Sequence, residues 1–152
     1  MIKFNKWLKL KLEQTEEDQN FQSATIGLFC NNKILLLHRS STAPWMPLKY
    51  ALSGGGIEKG ESPKEAARRE LEEETKIHAN PNFVKKITTD YVNYLHYGIV
   101  TSDRVTLNFE HDHYLWADFQ KCQELDSQGK FVPGLMQLIT ILNGLGLFGK
   151  NA

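Results

Sequence analysis

Three carboxylates, Glu70, Glu73 and Glu74, stand three and four residues apart in a run of strong helix formers, 66–75. On a helix that spacing stacks their side chains on one face, a turn apart. Like charges so placed destabilise a bare helix by about 0.2–0.5 kcal/mol per pair. Hard divalent cations among them reverse the balance, because Mg²⁺ and Mn²⁺ take oxygen ligands and Mg²⁺ sites combine a few carboxylates with waters and substrate phosphates. Most acidic runs are simply solvated helix faces. Two neighbours favour a site: Arg68 and Arg69 lie a turn before the last carboxylates, and Gly54-Gly55-Gly56 leads into the helix through 57–61. Glycines permit close backbone approach, and a glycine turn beside an acidic helix suits a metal–phosphate site.

The elements that must hold these groups are legible around them. Ser62-Pro63-Lys64-Glu65 is a helix start: Ser62 can cap free N–H groups, Pro63 suits the first helical position and Glu65 completes a capping box. Pro81 lies beyond the expected helix end. Strands are expected at 24–30 and 33–38, joined at Asn31-Asn32 as a hairpin, with a loop at 40–47 and a short strand at 50–52 running into the glycine turn. Further β-branched and aromatic runs at 83–94, 97–101, 104–109 and 114–117 read as strands. Leu135, Leu138, Ile139, Leu142 and Leu145 follow the spacing of an amphipathic helix. Strands with two separated helices imply a mixed sheet covered by helices.

The chain has 152 residues, 41% hydrophobic and 24% charged, which fits one globular domain over 1–152. Eighteen basic residues balance eighteen acidic ones. That balance argues against extended nucleic acid as partner, since backbone neutralisation needs surplus Lys and Arg. It leaves room for a small phosphate-bearing ligand. Two cysteines, Cys30 and Cys122, make no disulfide framework or zinc set, so a reducing cytoplasm is expected. The first twenty residues mix Lys3, Lys6 and Lys9 with Glu13, Glu16 and Glu17 and do not read as a signal peptide. The apolar stretch 131–148 is interrupted by Pro133, Gly134, Gln137 and Asn143, so no membrane crossing is expected. In the N-terminal arm, 1–20, Leu8, Leu10 and Leu12 alternate with lysines. Such a strand must pair with a sheet edge, and a homodimer contact is expected slightly ahead of an internal one.

Gly55, five residues, Glu61, seven residues, then Arg69-Glu70-Leu71-Glu72-Glu73-Glu74-Thr75-Lys76-Ile77 resembles the box of the Nudix hydrolases over 55–77, with Lys76 where that pattern has glycine. The run Tyr50-Ala51-Leu52-Ser53-Gly54-Gly55-Gly56, with Leu107-Asn108-Phe109-Glu110 and Tyr114-Leu115-Trp116, is similar to members that act on pyrimidine deoxynucleoside triphosphates. The resemblance covers about 22–145 and implies an α/β fold, an α/β/α sandwich with a mixed sheet flanked by helices. It implies that Glu73 and Glu74 bind divalent cations, Mg²⁺ with Mn²⁺ as the alternative. Glu70 would be a ligand or the base, Gly55 would lend its carbonyl, and Glu61 with Arg69 would hold the loop on the helix. The expected reaction is hydrolysis of a nucleoside triphosphate to monophosphate and pyrophosphate. Features that mark other substrate groups are absent: Val92 stands where ADP-ribose hydrolases often have proline, and Asn93 where dinucleoside polyphosphate hydrolases often have tyrosine. An oxidised-purine triphosphate is the second substrate considered. A non-catalytic nucleotide-binding module is the alternative of another class, and it would usually have lost box carboxylates.

Outside the box, Glu110 is the favoured additional carboxylate, a metal ligand or base at a strand end. Arg39, Trp45, Tyr50 and Phe109 are the candidates for substrate contact, the aromatic rings because bases stack on them. Core packing is an equal expectation for Tyr50 and Phe109. His111, Asp112 and His113 form a tempting cluster; period two puts His111 and His113 on one face and Asp112 opposite. Surface or supporting roles are expected for all three. His38, His78 and His96 are isolated in sequence and read as structural.

Overall fold

The computed structural model describes residues 21–149. Seven strands, β1 (Gln22–Cys30), β2 (Lys33–Arg39), β3 (Tyr50–Ala51), β4 (Ser53–Gly56), β5 (Asn82–Thr88), β6 (Val92–Ile99) and β7 (His111–Ala117), form one sheet. Its order is β3-β2-β1-β6-β5, with β4 also paired to β1 and β7 to β2. β1 and β6 run parallel and the other pairs antiparallel, so the sheet is mixed. Among the described residues three helices cover it: α1 (Pro63–Thr75), α2 (Phe119–Ser127) and α3 (Leu135–Asn143).

The near-continuous apolar runs of β1 and β2 follow from burial on both faces. Ala24, Ile26, Leu28, Leu35 and Leu37 pack against Ala66, Ala67 and Leu71 of α1. Phe29, Ile34 and Leu36 pack the other way, against Cys122 and Leu125 of α2 and Leu135, Ile139 and Leu142 of α3. The expected sandwich of helices on a mixed sheet is what forms. Gly27 lets the sheet and α3 pack closely, since a Cβ there would run into Leu142 Cδ1. Both cysteines are buried and unpaired.

Several local expectations are corrected. Gly54-Gly55-Gly56 is not a turn; Ser53, Gly54, Gly55 and Gly56 pair with Ile26, Thr25, Ala24 and Ser23 as an edge of β1. The run 83–94 is two strands, separated where Thr89 N–H donates to the Tyr91 carbonyl at 2.9 Å. Residues 104–109 form no strand: Val105 and Leu107 cover the α1 side of the core, and Thr106 N–H donates to Thr75 O at 3.0 Å. Alternation there reflects packing on a helix end rather than pairing. Helix α2 was not expected; Asp118 caps it by accepting from Lys121 N–H at 2.8 Å. The C-terminal helix stops at Asn143, leaving Leu145 outside it. The expected strand at 8–12 and its dimer contact lie outside the described residues.

Candidate active site

Helix α1 begins as its sequence dictates. Ser62 Oγ accepts from Glu65 N–H at 3.1 Å, Glu65 Oε1 accepts from Ser62 N–H at 2.9 Å, and Pro63 occupies the first turn. From this fixed start the helix turns Glu70 and Glu74 inward, 2% and 3% exposed, while the Glu73 side chain stays 41% exposed. The three carboxylates are therefore not equivalent. A spacing of four keeps Glu70 and Glu74 over β4, and Glu73 lies toward the outer groove shared with Arg68, Glu72 and Lys76.

Buried carboxylates must be hydrogen-bonded or paired, and β4 and Arg69 supply the partners. Glu74 Oε1 accepts from Ser53 Oγ at 2.6 Å and from Gly54 N–H at 3.1 Å. Glu70 Oε2 accepts from Arg69 at 2.7 Å. The Arg69 guanidinium also grips Glu61 through two hydrogen bonds, 2.6 and 2.9 Å, and reaches Glu73 at 3.3 Å and the Gly56 carbonyl at 3.2 Å. This fork holds the 57–61 loop, β4 and α1 together. Hydrogen bonding to Glu61 pushes the Arg69 pKa above its ordinary value, against burial and with help from Glu70 and Glu58.

Gly55 is where β4 comes up against a site carboxylate. A Cβ at this residue would lie 2.5 Å from Glu70 Oε1, so only glycine lets the β4 backbone approach that carboxylate.

One cavity gathers the groups into a common space. It is lined by Glu58, Glu70, Glu74 and Glu110 on the acidic side and by Arg39 and Arg69 on the basic side. Four carboxylates face two guanidiniums, an excess of negative charge that is costly in a half-enclosed space. The cation-binding groups are all oxygens, the carboxylates with the Gly55 backbone carbonyl beside them, and the set fits hard divalent cations. Opposite in character, Trp45, Tyr91, Val132, Pro133 and Leu138 give the cavity apolar walls, and Ser23, Thr25 and Asn93 give it neutral polar ones.

Arg39 sits between these characters. Its Nε donates to the Trp45 carbonyl at 2.7 Å, and its guanidinium lies 5.3 Å from the Trp45 ring centroid. Burial pulls its pKa below the ordinary value, and the charges of Glu74 and Glu110 oppose that pull. Glu110 is held by Asn108, whose Nδ2 donates to its Oε1 at 3.1 Å, while the Glu110 N–H donates to Asn108 Oδ1 at 3.0 Å.

The structure thus brings Gly55, Glu70, Glu74, Glu110, Arg69, Arg39 and Trp45 to one cavity, with Glu61 supporting Arg69 from outside its lining. Glu73 joins through Arg69. Phe109, 59% exposed, lines a small adjoining hollow with Arg39 and Glu110. Tyr50 is not among the cavity-lining residues; it packs on the α2/α3 side of the core, and its hydroxyl lies 3.1 Å from His113 Nε2. Cavity residues that the sequence reading missed include the carboxylate Glu58 and, on the walls, Ser23, Thr25, Tyr91, Asn93, Val132 and Leu138. Their only sequence signal was polar residues inside otherwise apolar strands, at Ser23, Thr25 and Asn93.

The histidines divide. His96 is structural as expected, 1% exposed, with Nδ1 3.0 Å from Tyr94 O and 3.2 Å from Thr25 O. His111 is buried rather than at the surface. His38 is not isolated, because it stacks on His113.

A family model described as the NUDIX domain matches residues 20–133. A nucleoside triphosphatase, NudI of Klebsiella pneumoniae, is 32% identical over an alignment 99 residues long that covers 53% of this chain and 69% of that protein. Among solved structures, a MutT protein from Methanosarcina mazei superposes with a TM-score of 0.71 at 24% identity, covering 86% of this chain and 97% of that one. A NUDIX hydrolase from Nitrosomonas europaea gives 0.66 at 19% identity, covering 82% and 89%. These two likenesses show a shared fold. The matched segment 20–133 contains β1 to β7, α1 and every carboxylate of the cavity: the chain belongs to the NUDIX domain family and is a Nudix hydrolase.

Proposed function

We propose that this protein hydrolyses a nucleoside triphosphate, with a pyrimidine deoxynucleotide favoured, to the monophosphate and pyrophosphate in a Mg²⁺-dependent reaction. The observation that carries this reading is the double character of the cavity. Four carboxylates outnumber two guanidiniums beside the Gly55 backbone, and apolar and neutral polar walls complete the same space. A bare phosphate chain would be repelled there, so cations must accompany it. The apolar and amide-bearing walls suit a base and sugar.

In this reading Glu70, Glu73, Glu74, Glu110 and the Gly55 carbonyl hold Mg²⁺, with Mn²⁺ as a substitute. The bound cation supplies acidification of a water and compensation of charge on the phosphoryl oxygens. Arg69 fixes Glu70 by its hydrogen bond to Oε2, so that the carboxylate keeps one orientation as ligand or as acceptor of the water's proton. Attack of water on a phosphorus breaks the bond to the leaving pyrophosphate. Glu61 keeps Arg69 in place. Arg39 bears positive charge toward the phosphates, and Trp45 and Phe109 offer faces to the base. Retention of every box carboxylate favours catalysis over a binding-only module. The buried, unpaired thiols of Cys30 and Cys122 accord with a reducing cytoplasm.

The test is product analysis on a panel of ribo- and deoxynucleoside triphosphates, including an oxidised purine, with Mg²⁺ or Mn²⁺. Pyrophosphate and monophosphate should appear, fastest from a pyrimidine deoxynucleotide. A preference for the oxidised purine would replace the substrate, and no turnover of any triphosphate would overturn the reading.

A further inference from the structure

Away from the cavity, one row of side chains crosses three adjacent strands. His38 of β2 pairs with Tyr50 of β3 on one side and with His113 of β7 on the other. The β2–β7 register breaks between His38 and Arg39, whose partners are His113 and His111, so Asp112 is the additional residue of a β-bulge. In an unbroken strand Asp112 would point to the face opposite His113. A bulge re-aims a side chain, and here Asp112 Oδ1 lies 2.7 Å from Nδ1 of both His38 and His113. The two imidazoles stack, with centroids 3.9 Å apart and planes 23° from parallel.

We propose that His38, Asp112 and His113 form a binding site for a divalent transition-metal ion of the zinc type, separate from the all-oxygen set in the cavity. Two imidazole nitrogens and one carboxylate oxygen are a donor set that Zn²⁺ accepts with its fourth position open, whereas Mg²⁺ favours oxygen alone. The three donor atoms lie within 4.8 Å of one another. With ligand bonds of about 2.0–2.2 Å, tetrahedral donors sit roughly 3.4 Å apart. Each 2.7 Å contact of Asp112 therefore opens by about 0.7 Å and the stacked rings turn until both Nδ1 lone pairs face one ion, a movement within reach of the exposed Asp112 and His113 side chains.

Tyr50 supplies the outer partner. Its hydroxyl lies 3.1 Å from His113 Nε2 and can donate or accept. It therefore satisfies Nε2 when the proton sits on Nδ1, and equally when metal on Nδ1 requires the proton on Nε2. Such outer hydrogen bonds orient ligating histidines. The His38 side chain is 14% exposed and Asp112 and His113 are 42% and 52% exposed, which gives one anchored ligand and an open approach. His38 directly precedes Arg39, and Asp112 follows Glu110 by two residues. An ion here would clamp the strand ends that carry two cavity residues.

Metal-stripped full-length protein in excess Mg²⁺ would be titrated with Zn²⁺ in competition with a chromophoric chelator. The result expected is a single tight equivalent in the wild type and in Glu74→Gln, with affinity reduced by more than about tenfold in His113→Ala and in Asp112→Asn. Since both substituted side chains are half-exposed, these variants test the site without disturbing the core; Co²⁺ in place of Zn²⁺ should show visible bands that the same variants lose. Absence of Zn²⁺ binding by the wild type, binding that survives both variants, or loss of binding in Glu74→Gln alone would each overturn the proposal.

Discussion

Gly55 and Glu70 are in contact through the space a side chain would need: a Cβ on Gly55 would stand 2.5 Å from Glu70 Oε1 and 2.7 Å from its Cδ. The backbone of β4 is thereby pressed onto a carboxylate that is 2% exposed and held from its other oxygen by Arg69. At the adjacent Gly54 a Cβ would instead meet main-chain atoms, Ala24 O at 2.5 Å and Thr25 Cα at 2.9 Å.

That contrast separates function from folding. Gly55→Ala should displace the Glu70 carboxylate and lower turnover by roughly tenfold or more, while costing less stability than Gly54→Ala, whose clash is chiefly with the β1 main chain at Ala24 O and Thr25 Cα, which yields less readily than a side chain. Steady-state kinetics and thermal unfolding of the two variants check this. A Gly55→Ala enzyme with wild-type turnover would show that Glu70 need not keep its position.

Lys76 ends α1 in the left-handed region, at φ 62°, with its N–H donated to Glu72 O at 2.9 Å. A residue with a Cβ is disfavoured there by roughly 1–2 kcal/mol, and the flexibility glycine brings to the unfolded chain returns part of that gain. Lys76→Gly should raise unfolding free energy by about 0.5–1 kcal/mol with an unchanged denaturant slope, as measured by urea titration. Destabilisation would mean that the lysine side chain matters more than its backbone angle.

His96 gives the fold a pH dependence. Burial lowers its pKa below 6.5, despite the opposing hydrogen bonds to Thr25 O and Tyr94 O. The unfolded chain therefore binds a proton that the folded one resists, so the stability attached to neutral His96 is complete above about pH 6.5 and is lost as pH falls toward the lower folded pKa. Between pH 7.5 and 5 the wild type should lose more stability than His96→Asn, whose amide keeps an N–H donor without titrating. Equal losses in the two proteins would remove His96 as the cause.

The excess of carboxylates in the cavity predicts stabilisation by metal. Added Mg²⁺ or Mn²⁺ should raise the melting temperature by mass action, increasingly with concentration. The shift should shrink in Glu70→Gln, which removes one buried charge. Differential scanning fluorimetry across millimolar metal checks it, and an identical curve with and without metal would speak against cations in this cavity.

Much of the site was readable because helical spacing is local. Ser62 and Glu65 fix where α1 starts, so the inward turn of Glu70 and Glu74 follows from a count along the chain. What was not readable depends on pairing between distant segments. Gly54-Gly55-Gly56 suggests a turn until β1 is seen to pair with it. Asn93, Ser23 and Thr25 become one hydrogen-bonded group only because β1 and β6 run parallel in register, with Asn93 Nδ2 donating to Thr25 Oγ1 at 3.1 Å. Val105 and Leu107 alternate as a strand would, yet serve to cover α1. The period of two places Asp112 opposite His113, and the bulge set by the β2 partner breaks that period.

The central claim is that buried carboxylates of α1 carry out the hydrolysis, and Glu74 is the cleanest place to test it. Its Oε1 is held by Ser53 and Gly54, and glutamine can keep both hydrogen bonds through its carbonyl while losing the charge. Pyrophosphate release from the best nucleoside triphosphate, at saturating Mg²⁺, would be measured for wild type and Glu74→Gln of matched circular dichroism. The account predicts that turnover falls by roughly two orders of magnitude or more, a loss of about 3 kcal/mol in transition-state stabilisation. Turnover within a factor of about two of wild type would contradict it.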